Sequence, residues 1–257
     1  MLKRILIILL SLTLGTLCSC SKKSNVESLP PATKSDMEML MQVIKGVEDA
    51  DSFYTVAEGQ TTSLGIKQKI SARRYVIGNS VFKESISYSS LVKVANQTYV
   101  SNGKYLLRTS KKVSSLTCVE WSNNVTDIGK DEYFKRYGAV ITGLNNYVLT
   151  EQTITGVEVT ENECGYVFVL TADVVSSTVN IVKEMKTNAG SKDYPTFSAV
   201  KITLTADKNL RVISAHYECA YTVKIAVLGE VDCEEDVTEY FYGFNQTTTF
   251  DEKEIFE

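Results

Sequence analysis

Cysteine and histidine are the residues of this sequence with the most distinctive chemistry, and they are few. The chain has 257 residues, of which six are cysteine and one is histidine. Two cysteines, Cys18 and Cys20, lie near the start, and the others are far apart, at Cys118, Cys164, Cys219 and Cys233. Because one histidine leaves few acid–base or metal reactions open, the cysteines carry most of the reactive chemistry.

The first twenty residues have the pattern of a secretion signal that ends at a cysteine. Lys3 and Arg4 precede an apolar run that reaches Leu17 and is too short for a comfortable membrane span. Leu17-Cys18-Ser19-Cys20 resembles a bacterial lipobox, with an aliphatic residue at position −3, a small one at −1 and cysteine at +1. This resemblance implies a signal peptide over residues 1–19 and a lipidated thiol, with diacylglycerol and palmitate, at Cys20. Cys18 fits less well, because Leu17 would then stand at −1, and the alternative is plain secretion with cleavage nearby.

A polar segment with two prolines separates this signal from the first periodic pattern. Residues 20–34 show no helical or strand periodicity, so we predict a flexible tether that reaches about 45 Å when extended. We expect a single domain over residues 35–257 on the extracytoplasmic side, anchored to the cell membrane by lipid. The net charge of −4 argues against nucleic acid as a partner.

The four later cysteines are an unpromising metal site. They contain no Cys-x-x-Cys pair, which structural zinc sites usually need. An extracytoplasmic location permits disulfides, and four cysteines allow three full pairings. The sequence therefore leaves two alternatives, at least one disulfide or four free thiols. Cys219 lies among apolar residues, where a buried thiol is expected.

The remaining candidates for catalysis or metal binding fail on spacing. His216 lies beside Ser214 and Glu218 on the polar face of a predicted strand, where a surface histidine is expected, and nucleophile-elbow, phosphate-loop and zinc-helix motifs are absent. Six acids lie between Glu230 and Glu239, but a calcium loop would need glycine at its sixth position and glutamate at its twelfth. We predict a solvated hairpin tip there, and a protein that is not an enzyme and holds no cofactor or metal.

An amphipathic helix opens the predicted domain. Ser35-Asp36-Met37-Glu38 matches a capping box, and apolar residues then recur at helical spacing up to Val47. We expect this helix to pack on a sheet. A sharper hypothesis is that its flexible methionines and their neighbours line a pocket for a hydrophobic ligand, namely Met37, Leu40, Met41 and Ile44.

Strand patterns dominate after Phe53, and they predict the fold class. About eleven segments alternate, with turns such as Asn102-Gly103 that favour hairpins. Two more helices are predicted, one around Tyr133–Tyr137 and one over residues 174–186. In residues 210–224 one face is apolar, with Ile213 in that set, and the other is polar. We predict an α+β fold, in which one large curved antiparallel sheet of about eleven strands packs against about three helices in a half-barrel-like arrangement.

The last predicted strand is rich in aromatic residues. Alternation puts Tyr240, Tyr242 and Phe244 on one face and Phe241 on the other. Two interpretations are open, a strand buried on both faces or an exposed aromatic strip for contact with a partner.

In element order and sheet polarity, residues 35–250 resemble the LolA/LppX-type half-barrel lipoproteins. The resemblance implies a curved sheet that holds acyl chains between itself and the helices, with no catalytic residues, and only Cys20 is carried over. It therefore implies a membrane-anchored, non-catalytic protein that binds a lipid or another hydrophobic or amphipathic ligand. The alternative is a structural or interaction module that recognises a protein or cell-wall partner through the exposed sheet face.

Overall fold

The computed structural model describes residues 29–189, 193–225 and 229–246. The predicted signal peptide, Cys20 and most of the predicted tether lie outside the described residues. Within them the helices are α1 (Lys34–Glu48), α2 (Lys130–Tyr137) and α3 (Ile181–Ala189). The strands are β1 (Ser52–Ser63), β2 (Ile66–Ile77), β3 (Ser80–Tyr88), β4 (Lys93–Ser101), β5 (Lys104–Ser115), β6 (Cys118–Asp127), β7 (Ile154–Glu161), β8 (Gly165–Ala172), β9 (Thr196–Asp207), β10 (Val212–Ile225) and β11 (Gly229–Tyr242).

All eleven strands form one antiparallel sheet in the order β6-β5-β4-β3-β2-β1-β11-β10-β9-β8-β7. Strands β1 to β6 run from the middle to one edge, and β7 to β11 return from the opposite edge to the middle. The first and last strands pair there, from Tyr54 opposite Tyr242 to Ser63 opposite Cys233. The predicted fold class is confirmed: an open antiparallel sheet of eleven strands packs against three helices. Because the two half-sheets end at opposite edges, residues 128–153 must cross one whole sheet face.

Hairpin turns account for the sequential pairing. Asn102 and Gly103 have φ values of 49° and 79°, and Ser101 pairs with Lys104, as a two-residue type I′ turn requires. Between β9 and β10, the Asp207 carboxylate accepts hydrogen bonds from the amides of Asn209 and Arg211, at 2.8 and 2.9 Å. Local side-chain chemistry therefore sets the register of these hairpins.

The central strand pair approaches closely at a glycine. A Cβ atom placed on Gly59 would lie 2.2 Å from the carbonyl oxygen of Asp236 and 2.6 Å from Cα of Val237. No side chain fits there, so glycine permits the close packing of β1 against β11.

Helix α1 starts one residue before the predicted capping box. Thr33 is the N-cap, and its Oγ1 accepts a hydrogen bond of 3.1 Å from the amide of Asp36. The threonine hydroxyl satisfies an amide that would otherwise lack a partner, so the predicted Ser35 cap was wrong. The helix buries one face, and each fully buried aliphatic side chain contributes about 1.5–3 kcal/mol; the buried residues are Leu40, Val43, Ile44 and Val47.

Two predictions of side-chain direction fail at backbone irregularities. A register shift between Val212 and Ser214 exposes Ile213, because a bulge reverses the alternation. Gly243 has φ +64° and ends the alternation of β11, so Phe244 does not share a face with Tyr240 and Tyr242. It stacks instead on Phe53 at 5.5 Å.

Other boundaries also differ from the predictions. The six acids between Glu230 and Glu239 belong to strand β11 rather than to a hairpin tip, because β11 begins at Gly229. The last helix begins at Ile181 rather than near residue 174, and residues 147–153 belong to the crossing segment. The described part of the predicted tether contacts the domain, since a Cβ on Gly156 would lie 2.9 Å from Leu29 Cβ.

Candidate functional site

The helices cover only part of the concave face, the sheet face that the crossing segment traverses. On β8 to β11 the concave side chains are buried, with Phe168, Ile202 and Leu204 fully so. The register continues these rows onto β1 to β4, where the side chains are partly exposed. These positions, which we call the trough, are mostly small: Ala57, Gly59, Ile70, Ala72, Ser85, Ser87, Val94 and Asn96.

Arg74 fastens the crossing segment to the sheet above the trough. Its guanidinium donates hydrogen bonds to the carbonyls of Ile141, Gly143 and Leu144 at 3.0, 2.8 and 2.9 Å. It also pairs with Glu239 on β11 at 3.0 Å. Arg74 is buried, so one cation satisfies three backbone acceptors and a carboxylate in the interior.

Polar contacts hold α3 over the far wall of the trough. Lys83 on β3 pairs with Glu184 on α3, and Asn96 Nδ2 donates to Asn188 Oδ1 at 3.3 Å. Where Lys83 and Glu184 meet α2, a space of about 10 Å³ is large enough for about one water molecule. The trough is therefore bounded on this side by charged and amide groups rather than by an apolar seal.

The near wall of the trough carries two carboxyl groups on the concave side of β11. Glu239 accepts a hydrogen bond of 3.3 Å from Tyr217 Oη besides its pair with Arg74. Glu235 lies between Cys219 on β10 and Thr61 on β1 and is partly exposed. Burial, and then the negative charge of Glu184, raise the pKa of Glu235 to about 7.

Sequence reasoning missed these carboxylates, although a signal was present. Val231, Cys233, Val237 and Phe241 alternate as buried residues, and Glu235 and Glu239 continue the same period. The density of acids suggested a solvated segment, but alternation assigns two of them to the interior.

The predicted pocket-lining residues lie on the covered half of the sheet. Helix α1 packs against β7 and β10, and Leu40 and Ile44 belong to the buried core, with Met37 and Met41 partly buried against it. Their role in lining a ligand pocket stays a prediction. A groove of about 260 Å³ lies at the end of α1, beside Leu210 and Phe244.

The four later cysteines are free thiols. Cys118 and Cys164 are exposed, on β6 at one sheet edge and next to β7 at the other. Cys219 and Cys233 are buried, and burial raises the pKa of both thiols. The hydroxyl of Tyr147 lies 3.1 Å from Cys219 Sγ.

His216 lies on the opposite, convex face and does not meet the predicted neighbours. Its Nε2 is 2.9 Å from Asp236 Oδ1, whereas Glu218 pairs with Lys201 at 2.9 Å. Within the described ranges no group of three or more histidine, cysteine or acidic residues could hold a metal ion. No helix among the same residues is long and apolar enough to span a membrane.

Tyrosines stack across the convex face. Tyr54 lies 5.1 Å from Tyr242 and 5.7 Å from Tyr75, between ring centroids. Tyr240 and Tyr242 are each 43% exposed, whereas Phe241 is 5% exposed. The last strand thus has a buried aromatic side and an exposed one.

The chain has structural similarity to several solved structures, at low identity. No known protein-family model matches it, and neither does any curated protein sequence. It is similar to lipoprotein LppX of Mycobacterium tuberculosis, with 10% identity and a TM-score of 0.45, over 86% of this chain and 100% of that one. LprF of Mycobacterium bovis has 12% identity and a TM-score of 0.41, over 86% and 98%. A putative outer membrane lipoprotein-sorting protein domain of Vibrio parahaemolyticus has 8% identity and a TM-score of 0.29, over 86% of this chain and 96% of that one. These values assign neither a family nor a function.

Proposed function

We propose that this chain is a lipid-anchored extracytoplasmic protein that binds a hydrophobic or amphipathic ligand on its concave face, without catalysing a reaction. The observation that carries the proposal is the change in burial at β1. Two concave rows pass from buried side chains on β11 to partly exposed small ones on β1 to β4, such as Ala57 and Ala72. Small side chains leave room above the sheet, and burial of methylene groups there contributes about 0.8 kcal/mol each.

The covered half of the interior supports placing the ligand in the trough. Side chains such as Leu40, Phe168 and Ile202 are fully buried, and a close-packed core leaves no space for a second molecule. The trough is where small concave side chains stay partly exposed.

A variant in which a large side chain fills the trough tests this proposal. We would express residues 21–257, which include every described residue, and record native mass spectra with and without a membrane-lipid extract. A discrete lipid adduct is expected, and it should be lost in Ala72→Phe, which fills the trough between Ala57 and Ser85. Ser71→Phe, whose side chain lies on the convex face next door, should retain it. A clean mass for the wild-type chain, or equal adducts in both variants, would contradict the proposal.

The anchor requires a separate test, because it depends on the sequence before residue 29. In a bacterial host that processes lipoproteins, labelled palmitate should be incorporated into the full-length chain and lost in Cys20→Ala. Cys18→Ala should keep the label, since Cys18 is not the predicted acceptor. Label that survives Cys20→Ala would show that a residue other than Cys20 carries the lipid, and would contradict the predicted anchor.

A second candidate function is recognition of a protein or cell-wall partner through the convex face. The stacked pair Tyr54 and Tyr242, with Tyr240 exposed beside it, favours this candidate, because exposed aromatic rings supply large contact areas. Tyr242→Ser would then abolish co-sedimentation with isolated cell walls, or capture of a partner, and leave lipid adducts intact. Unchanged co-sedimentation would remove this candidate.

A further inference from the structure

We propose that the near wall of the trough is a head-group site, in which Glu235 binds the primary ammonium of an amphipathic amine whose alkyl chain lies along the trough. This inference rests on the proposed function, because it assigns the polar end of the same ligand. The site is inferred from the balance of hydrogen-bond donors, acceptors and charges on the concave face.

The charged side chains on the concave face form ion pairs, with the exception of the Glu235 carboxyl group. Arg74 pairs with Glu239, and Lys83 pairs with Glu184. Glu235 has no hydrogen bond or ion pair among the residues that the structure describes. A carboxylate that is only partly exposed loses water contacts, so a cationic donor would supply what the protein does not.

A second unpaired acceptor lies beside the same charges. Asn146 is buried and donates through Nδ2 to Glu184 Oε2 at 2.9 Å and to the carbonyl of Tyr137 at 3.1 Å. Its Oδ1 has no partner within the described part of the chain. The carboxyl oxygens of Glu235 and Oδ1 of Asn146 are all acceptors, and they favour a ligand that donates several N–H bonds, as a primary ammonium does.

The groups around Glu235 suit an ammonium and oppose an anion. Thr61 and Cys219 flank it in the register, and the negative charge of Glu184 acts on it, opposed by Lys83. Burial, and then nearby negative charge that includes Glu235, raises the pKa of Cys219, Tyr221 and Tyr147. An anionic head group would be repelled by the carboxyl groups of Glu235 and Glu184, and Lys83 is already paired with Glu184. A cation would be attracted by both carboxyl groups.

Probes that share one chain and differ in the head group test the site. Dodecylamine, dodecyl maltoside and laurate, each below its critical micelle concentration, carry a cationic, a neutral and an anionic head on similar alkyl chains. By isothermal titration at pH 8, where Glu235 is mostly ionised, we expect dodecylamine to bind at least about tenfold more tightly than laurate. Glu235→Gln should lower this ratio to near one.

A matched control separates the site from the net charge of the protein. Glu234→Gln removes the same charge from the adjacent residue, whose side chain lies on the exposed convex face, and should leave the ratio unchanged. Equal losses in the two variants, or a ratio near one in the wild type, would overturn the head-group site while the trough proposal stands. Binding of none of the three probes would overturn both, and binding of laurate alone would overturn the head-group site.

Discussion

Replacement of Arg74 by methionine removes the group that joins the crossing segment to both halves of the sheet. Methionine keeps much of the apolar volume of the side chain and removes its charge and donors. Three carbonyls of residues 141–144 then lose their donor, and Glu239 keeps only the hydrogen bond from Tyr217. The perturbation therefore isolates the polar network from the packing around it.

The size of the effect follows from burial. Loss of one partner of a buried ion pair costs about 3–5 kcal/mol, because the other charge stays desolvated. Arg74 and Glu239 side chains are 4% and 11% exposed, whereas the neighbouring Arg73 is 49% exposed in its pair with Glu84. The Arg73 guanidinium is half in water, and the buried Glu84 keeps a hydrogen bond of 2.6 Å from Gln97 Nε2 when Arg73 is removed, so loss of Arg73 costs less than loss of Arg74. Arg74→Met should thus be several kcal/mol less stable than Arg73→Met, which carries the same substitution one residue away on the convex face.

Chemical and thermal unfolding measure this difference. For a chain of this size about 1 kcal/mol corresponds to 2–4 °C in Tm, so Arg74→Met should melt roughly 6–20 °C below the wild type. Urea titrations followed by circular dichroism give the free energies of unfolding. Glu239→Gln should recover part of the loss when it is combined with Arg74→Met, because the unpaired charge is then removed. Free energies within about 1 kcal/mol for the two arginine variants would refute the assignment of Arg74 as the fastening group.

Three further predictions concern single residues. The pKa of Glu235 is raised from 4.5 to about 7 in the folded protein, so the wild type loses stability as the pH rises through that interval. Between pH 5 and pH 8 the free energy of unfolding of Glu235→Gln should therefore rise by up to about 3 kcal/mol relative to that of the wild type. A difference in urea midpoints that does not change with pH would contradict this. Gly59→Ala should destabilise by about 1–3 kcal/mol or more, whereas Gly46→Ala, with nothing within 4 Å on the exposed side of α1, should stabilise by about 0.5–1 kcal/mol. In a chain of residues 21–257, the exposed thiols of Cys118 and Cys164 should react with a maleimide before unfolding, and all four thiols should react after it. Labelling of all four in the folded protein would contradict the burial of Cys219 and Cys233.

Periodicity predicted the parts of the fold that depend on neighbours in sequence. In β9, Val200, Ile202 and Leu204 alternate with polar or small residues as a strand with one buried face does, and all three are buried. The hairpin at Asn102-Gly103 was also correct, because the turn type depends on two residues alone. Where the backbone departs from regular geometry, as at the bulge before Ser214 and at Gly243, the same period assigned Ile213 and Phe244 to the wrong faces.

The wall of the trough could not be predicted, because it depends on contacts that no local pattern encodes. Lys83, Glu184 and Glu235 come from β3, α3 and β11, and they act on one another only because β1 pairs with β11 in the middle of the sheet. Once that pairing is known, the positions of Lys83 and Glu235 on the concave face follow from alternation along β3 and β11. The crossing segment is similar, since its fixed position depends on Arg74, a residue that the sequence pattern presents simply as one of two adjacent arginines.

The same topology explains why only one half of the concave face is fully covered. A chain that leaves the middle of the sheet, reaches one edge and must resume at the other crosses the concave face once, and its helices can cover only what lies near that path. Helix α1 and the crossing segment fill the space over β7 to β11, where large apolar side chains such as Phe168 and Leu204 meet them. Over β1 to β4 the sheet offers alanine and serine, at Ala57, Ala72, Ser85 and Ser87, which bury little area and leave depth for a ligand chain. A fold that only needed stability would place larger side chains at those positions, so the small residues of the trough are the strongest argument in this chain for a bound guest.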